Sequence, residues 1–178
     1  MIFTESKLKG AFIVDLERRE DQRGFFARTF CRREFEARGL RSEIAQANAS
    51  VNNRKGTLRG LHLQVPPSRE AKLIHCTRGR IYDVVVDLRK GSPSYKQWFG
   101  VELSENNYRQ LYVPAGCGHG YLTLADDTAV QYLVTDFYAP ELESGVRWND
   151  PAFGIEWPMQ PDLSLMKERD RTWPDYED

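Results

Sequence analysis

Apolar and polar residues alternate along several short runs after Gly56, and this pattern predicts β-strands. The runs are KLIHCT, RIYDVVVDL, QLYVPAG, YLTLA and AVQYLVTDFY, each bounded by Gly, Pro, Asp or Ser. In RIYDVVVDL, residues 81, 83, 85 and 87 point to one side and residues 82, 84, 86 and 88 to the other. One face can therefore pack while the other faces a pocket. Short strands at such regular spacing indicate a sandwich or barrel.

Helical patterns occur only outside this region. Residues 31–38, CRREFEAR, predict a short surface helix, and Gly39 follows where a helix commonly ends in a left-handed residue. After residue 148 the chain is rich in Pro, Trp and charge, so we expect an extended C-terminal segment, about 148–178, that wraps the barrel. One short helix is expected near 163–169. No repeat or linker divides the chain, which predicts a single domain over 1–178.

The charge balance limits the kinds of partner. Lys and Arg number 25 and Asp and Glu number 26, giving a formal net charge of -1. The protein therefore has no overall electrostatic field that would favour binding to nucleic acid or to an anionic membrane, and we expect neither as a partner. The start, MIFTESKLKG, lacks the apolar run of a signal peptide, and no stretch has the length of a membrane span, which predicts a cytoplasmic protein.

The three cysteines, Cys31, Cys76 and Cys117, contain no C-x-x-C pair. An odd number without paired spacing argues against a disulfide framework or a zinc knuckle. We predict that they are reduced packing residues.

The glycine-rich stretch GCGHGY, residues 116–121, superficially suggests a phosphate-binding loop. No helical pattern follows it and its spacing is not G-x-G-x-x-G, which makes a nicotinamide-binding fold improbable. The stretch instead predicts two strands joined by a tight turn that presents His119 at the mouth of a barrel. Taken alone, such a histidine is more often structural or solvent-facing than functional.

The histidines also raise the question of a metal. Metal-dependent cupins commonly carry an H-x-H pair with a carboxylate and a further histidine, but Gln64 stands two positions after His62. The pattern therefore predicts no metal site. His75 lies within a strand pattern and is expected to be packed.

The stretch GTLRGLHLQ, residues 56–64, places Arg59 and His62 in a strand pattern. A half-buried Arg must be paired, either in an internal salt bridge or with a ligand phosphate that fits its forked geometry. In the second case His62 would stand close by as an acid or base near neutral pH. Lys72 and Tyr132 also lie in strand-like runs, although a lone tyrosine there is more often a core aromatic.

These residues belong to a series of blocks that resembles the dTDP-4-dehydrorhamnose 3,5-epimerases. The blocks cover nearly the whole chain and run in the order DQRGFFARTF, QANASVNNRKGTLRGLHLQ, AKLI, GRIYDVVVDLRKGSPSY, QLYVPAGCGHGYLTL, VQYLVTDFYAPELESGVRWNDPAFGIEW and RDRTWPD. The resemblance implies an all-β, cupin-like jelly-roll sandwich or barrel with short peripheral helices. It also implies an isomerase that needs no cofactor.

By this resemblance His62 is the catalytic base and Asp170 the carboxylate that orients it. Tyr132 is the acid on the opposite face of the sugar, and Lys72 lies near the keto oxygen. Such residues suit the chemistry, because a proton on a carbon beside a ketone is acidified by the enolate that its removal gives. A base on one face and an acid on the other invert the carbon, while a cation stabilises the oxyanion.

The resemblance also implies the substrate-binding residues and the assembly. By this resemblance, we expect the substrate to be a nucleoside-diphosphate 4-keto-6-deoxy sugar. The pocket is expected to be lined by Gln46, Asn48, Arg59, His119, Tyr138, Glu143 and Arg169. Arg23, Phe26 and Arg28 correspond to the nucleoside end, and in this family such residues reach in from a neighbouring subunit. We therefore expect a homodimer that exchanges an N-terminal arm of about residues 1–30.

Several alternatives stay open at this point. Arg28 stands where thymidine-nucleotide members often have Glu, so a dTDP-, GDP- or CDP-linked hexose or heptose is compatible with the sequence. Inversion at C3, at C5 or at both is equally compatible. The rival functions are a metal-dependent cupin enzyme and a non-catalytic sugar-binding cupin. The joint presence of His62, Tyr132 and Asp170 favours catalysis over mere binding.

Overall fold

The computed structural model describes residues 1–177, and most of its regular structure is β-strand. The strands are β1 (Ile2–Glu5), β2 (Phe12–Asp15), β3 (Arg19–Asp21), β4 (Gly24–Phe26), β5 (Gln46–Asn52), β6 (Leu58–Gln64), β7 (Lys72–Arg78), β8 (Arg80–Asp87), β9 (Trp98–Ser104), β10 (Gln110–Val113), β11 (Cys117–Thr123), β12 (Thr128–Val134) and β13 (Glu143–Gly145). The helices are α1 (Arg32–Glu36), α2 (Glu168–Thr172) and a 3-10 turn at Pro140–Leu142.

Two antiparallel sheets form the body of the molecule. The first has the order β1-β2-β10-β7-β12-β5 and the second the order β13-β6-β11-β8-β9, while β3 and β4 form a separate hairpin. Residues from both sheets meet in one buried cluster, including Ile74 and Leu111 from the first sheet and Ile81 and Leu103 from the second. The expected all-β, cupin-like sandwich with short peripheral helices is confirmed.

Strand β8 departs from the expected pattern of one packed and one open face. Ile81 and Val85 enter the core between the sheets, but Val84 and Val86 are also fully buried, in a cluster with Phe153. The expectation was wrong because the C-terminal segment lies over the outer face of the second sheet. Apolar side chains on both faces of β8 therefore lose contact with water.

The C-terminal segment carries a helix, but not at the expected residues 163–169. Asp162 accepts hydrogen bonds from the backbone N–H (2.9 Å) and hydroxyl (2.6 Å) of Ser164, which folds this stretch into a turn. The helix begins only after Lys167 and places Asp170 toward β6. At the other end of the chain, α1 is shorter than the predicted 31–38, and Gly39 has the expected left-handed φ of 69°.

Two predicted strand boundaries also shift. The turn after β10 comprises residues 114–116, so His119 lies inside β11 and not in a turn. The glycines of this stretch serve the pairing of β11 with β6 and not a turn. A Cβ on Gly60 would stand 2.5 Å from the Cα of Gly120, so only glycine permits the two strands to approach so closely. Strand β12 ends at Val134, where its pairing with β5 and β7 ends, which leaves Tyr138 in a loop.

The cysteines agree with the prediction from their spacing. All three are free, and Cys76 and Cys117 are buried. Burial raises the pKa of each of these two thiols to about 12, so both stay protonated and unreactive near neutral pH. Within residues 1–177, no helix is both long and apolar enough to cross a membrane.

Candidate active site

A cavity of about 380 Å³ opens between the two sheets and contains most of the charged residues expected at a site. It is lined by Ser50, Thr57, Leu58, Arg59, His62, Lys72, His119, Tyr121, Tyr132, Tyr138, Glu143, Leu165, Lys167, Arg169 and Asp170. A neighbouring cavity of about 320 Å³ shares His62, Lys72 and Tyr132 with it and adds Gln46 and Asn48. The fold thus gathers residues from both sheets and the C-terminal segment.

His62 and Asp170 form a hydrogen-bonded pair on one wall of the cavity. Nε2 of His62 lies 2.7 Å from Oδ1 of Asp170, and the carboxylate is 2% exposed. The backbone N–H of Gly60 donates to Oδ2 at 3.4 Å. Burial opposes ionisation of this carboxyl, but the hydrogen bond and charge of His62 and the Gly60 N–H outweigh it and lower its pKa. An ionised Asp170 holds Nε2, which leaves Nδ1 of His62 to accept a proton from a ligand.

Tyr132 approaches the cavity from the other sheet. It lies on β12, whereas His62 lies on β6, so the acid and base candidates are supplied by opposite sheets. Burial raises the pKa of the Tyr132 hydroxyl, the negative charge of Glu70 raises it further, and Arg59 acts in the opposite direction. The phenol therefore keeps its proton well above neutral pH and is suited to donate it.

Lys72 lines the same cavity and lies beside His62. Its Nζ donates to the backbone carbonyl of His62 at 3.4 Å and lies 3.4 Å from the carboxylate of Glu70. The Lys72 side chain is 15% exposed and that of Glu70 is 10% exposed. A cation held this way beside the base can stabilise negative charge that develops on a ligand oxygen.

A second histidine–carboxylate pair lies next to the first. Nε2 of His119 is 2.6 Å from Oδ1 of Asp83, which is fully buried on β8. Burial raises the pKa of this carboxyl, although His119 partly offsets the effect. His119 and His62 are direct partners in the pairing of β11 with β6, so both rings reach the same cavity.

Arg59 directs positive charge into the cavity. Its Nε donates to the side-chain oxygen of Asn52 at 2.7 Å, and Asn52 in turn donates to Tyr121 and to the backbone of Thr128. Within residues 1–177, no carboxylate forms an ion pair with Arg59. The internal salt bridge that was one explanation of this half-buried Arg is therefore absent from the described residues, and a neutral partner leaves the charge available to a ligand anion.

Three further residues meet at the mouth of the cavity. The hydroxyl of Tyr138 donates to Oε2 of Glu143 at 2.9 Å, and Nη1 of Arg169 donates to the same oxygen at 2.6 Å. Burial opposes the ionisation of Glu143, but these two donors outweigh it and lower its pKa. The carboxylate therefore joins the loop after β12 to helix α2.

Comparison with known proteins identifies the family. Residues 5–178 match the family model described as dTDP-4-dehydrorhamnose 3,5-epimerase. This chain belongs to that family. It is therefore an epimerase, an isomerase that changes the configuration of a carbon. A relative from Methanothermobacter thermautotrophicus with the same name is 43% identical over 172 residues, which is 96% of this chain and 92% of the relative.

Solved structures share this fold over nearly the whole chain. The Elizabethkingia anophelis dTDP-4-dehydrorhamnose 3,5-epimerase has a TM-score of 0.94 at 36% identity, covering 99% of this chain and 96% of the other. The Bacillus anthracis enzyme, solved with TDP and PPi bound, has a TM-score of 0.90 at 40% identity, covering 97% and 98%. A 3'-monoepimerase from Streptomyces bikiniensis in complex with dTDP-quinovose scores 0.83 at 34% identity, covering 93% and 83%.

Three of the epimerase's expected binding residues lie away from this cavity. Arg23 is on the β3–β4 hairpin and pairs with Asp21 at 2.6 Å, and Phe26 is 68% exposed. Arg28 lies 3.4 Å from Glu34 beside a separate small cavity. A single chain does not bring these residues to His62, so their expected role depends on a second subunit and stays a prediction.

The sequence did not point to Asp83 or Glu70 as parts of the site. A signal for Asp83 was present, because a carboxylate in the apolar run RIYDVVVDL must be paired if it is buried. Glu70 lies in the short connection before β7 and carries no comparable signal.

The metal-dependent alternative is not favoured by the side chains present. Within residues 1–177, no group of three or more His, Cys, Asp or Glu residues is arranged to hold a metal ion. The ring of His62 and that of His119 each contact one carboxylate. Gln64, at the position where an H-x-H pair would have its second histidine, binds backbone atoms of a loop.

Proposed function

We propose that this epimerase inverts both C3 and C5 of a dTDP-linked 4-keto-6-deoxy sugar. The observation that carries the proposal is that His62, paired with Asp170, and Tyr132 line one cavity from opposite sheets. Inversion needs a base and an acid on the two faces of the reacting carbon. Relatives named dTDP-4-dehydrorhamnose 3,5-epimerase support this choice of reaction.

The proposed reaction begins when Nδ1 of His62 takes the proton from a carbon beside the keto group. The electron pair of the broken C–H bond forms the enolate, whose oxygen is stabilised by Lys72. Tyr132 then donates its proton to the opposite face of that carbon, and the keto group is restored. Solvent reprotonates Tyr132 and removes the proton from His62. The same sequence at the other flanking carbon completes a double inversion.

The diphosphate is proposed to bind beside the positively charged side chains that line the cavity. Arg59 with its neutral partner Asn52, His119, and Arg169 near the mouth supply donors for phosphate oxygens. We propose thymidine as the base, on the strength of the Bacillus anthracis relative solved with TDP. Because Arg28 makes GDP- and CDP-linked sugars compatible with the sequence, the test below includes both.

The assembly is proposed to be a homodimer. Phe26 is 68% exposed on a hairpin that is separate from both sheets, and a second chain would cover its ring. Arg23 and Arg28 would then reach the nucleoside end of the neighbouring subunit's cavity.

The test uses dTDP-, GDP- and CDP-linked 4-keto-6-deoxy sugars in deuterated water, with NMR to identify the carbons that exchange. We expect deuterium at C3 and C5 of the dTDP sugar with the wild type, and a loss of about 100- to 10,000-fold in rate with His62→Asn. His75→Asn, a matched substitution on β7 outside the cavity, should exchange normally. Exchange at C3 alone would indicate a single epimerase, and normal exchange by His62→Asn would exclude His62 as the base.

A further inference from the structure

Gln64 holds the loop that carries Tyr138. Its side chain is 5% exposed and lies two residues after His62 on β6. The backbone N–H of Ala139 donates to Oε1 of Gln64 at 2.7 Å, and Nε2 of Gln64 donates to the carbonyl of Phe137 at 3.2 Å. One amide group therefore binds the backbone on both sides of Tyr138.

A second glutamine completes this arrangement. The backbone N–H of Tyr138 itself donates to Oε1 of Gln46, at the start of β5, at 2.9 Å. Side chains from two different sheets thus fix three consecutive residues of the loop. The Tyr138 ring is 56% exposed and lines both cavities, so its position depends on how its backbone is held.

The same amide also reaches the connection that leads to Lys72. Nε2 of Gln64 lies 3.4 Å from Oγ of Ser68, which donates to Asp136 at 2.9 Å and accepts the N–H of Glu70 at 3.2 Å. Gln64 therefore links the loop after β12 to the connection before β7, two segments that Asp136 also joins directly through Ser68 and the backbone N–H of Arg69. Few side chains could replace it, because the contacts need one acceptor and two donors in a single planar group.

We infer that Gln64 is a positioning residue, which sets the place of Tyr138 at the cavity mouth and so determines how tightly the nucleotide sugar is bound. The inference rests on the proposed function for its substrate. Proton abstraction by His62 does not pass through this contact, since His62 is oriented by Asp170.

The first experiment follows amide hydrogen exchange of residues 135–139 in Gln64→Leu and Gln64→Glu. Leucine removes both backbone contacts, whereas glutamate keeps the acceptor for Ala139 and loses the donor to Phe137. We expect exchange about tenfold faster in Gln64→Leu and a smaller increase in Gln64→Glu. Gln97→Leu, at an exposed site before β9, is the matched control. Unchanged exchange in both Gln64 variants would overturn the inference.

The second experiment measures kinetics with the dTDP-linked 4-keto sugar. Gln64→Leu is expected to raise KM about tenfold while kcat changes by less than about threefold. In a Tyr138→Ala background, Gln64→Leu should raise KM no further, because the two residues would act as one unit. Independent effects on KM, or a fall in kcat alone, would contradict the inference. If Gln64→Leu does not fold, Gln64→Glu carries the same double-mutant comparison.

The two proposals fail in different ways. An inactive wild type would overturn the proposed function, while hydrogen exchange would still show whether Gln64 holds the loop. An active wild type whose Gln64 variants exchange faster without any change in KM would overturn the inference alone.

Discussion

Nε2 of His62 lies 2.7 Å from the carboxylate of Asp170, although 108 residues separate them in the chain. His62 is on β6 of the sandwich, and Asp170 is on a five-residue helix of the C-terminal segment. The pair therefore forms only when that segment is packed against the second sheet. In the proposed reaction, proton abstraction by His62 therefore depends on the packing of α2 against β6.

Asp170→Asn should slow deuterium incorporation by about 100- to 10,000-fold, the range for general acid–base catalysis. The amide can donate to Nε2 of His62 and so place the ring proton on Nδ1, the nitrogen that must accept one. Single-turnover NMR in deuterated water measures the rate. Asp175→Asn, a charge-removing change at an exposed site in the same segment, is the control. A rate for Asp170→Asn near that of the control would contradict the assigned role.

Tyr132→Phe should separate proton removal from inversion. His62 is unchanged in this variant, so deuterium exchange at the substrate carbons should continue, while delivery to the opposite face fails. We expect net inversion to fall by about 100-fold or more. Comparing exchange with product formation in one NMR sample tests this. Tyr112→Phe, in the packed core around Phe35, should invert at the normal rate. Inversion at the wild-type rate in Tyr132→Phe would mean that the acid is another group.

Glu70→Gln should shift the alkaline limb of the inversion rate to lower pH. The pKa of Tyr132 is raised by burial first and by the charge of Glu70 second, while Arg59 lowers it. Removing the Glu70 charge leaves burial and Arg59, so the pKa of Tyr132 falls. The phenol then loses its proton at lower pH and can no longer act as the acid.

The pH profile of inversion from neutral to alkaline pH measures this shift. Glu102→Gln on β9, a solvent-exposed carboxylate near Arg80, is the matched control and should leave the limb in place. An alkaline limb that stays fixed in Glu70→Gln, or moves to higher pH, would show that Glu70 does not act on Tyr132.

Mixing two inactive variants tests the exchanged arm. Each His62→Asn chain supplies an intact Arg23, and each Arg23→Ala chain supplies an intact His62. After unfolding and refolding together, half of the dimers are mixed and each contains one complete site, so activity should return to about a quarter of the wild-type value. If the activity of the refolded mixture does not exceed the summed activities of the two separate variants, Arg23 belongs to the site of its own chain. Light scattering gives the oligomeric state of each sample.

The strand-forming runs, and the unusual residues within them, can be predicted from the order of the amino acids alone. Alternation in KLIHCT and RIYDVVVDL predicted β7 and β8, because side-chain direction in a strand is a local property of the backbone. Arg59 and His62 stood out because charged groups in a strand need partners. The family blocks named Asp170, although no spacing in the chain connects it to His62.

Which of these residues come into contact depends on the packing of the whole chain. The pairing of His119 with Asp83 and the second packed face of β8 both depend on which strands and segments become neighbours. Such contacts join distant parts of the chain, so local periodicity does not encode them. The position of Tyr138 also depends on contacts between distant residues. Strand β12 ends where its pairing with β5 ends, and the side chains of Gln46 and Gln64 hold the loop that follows.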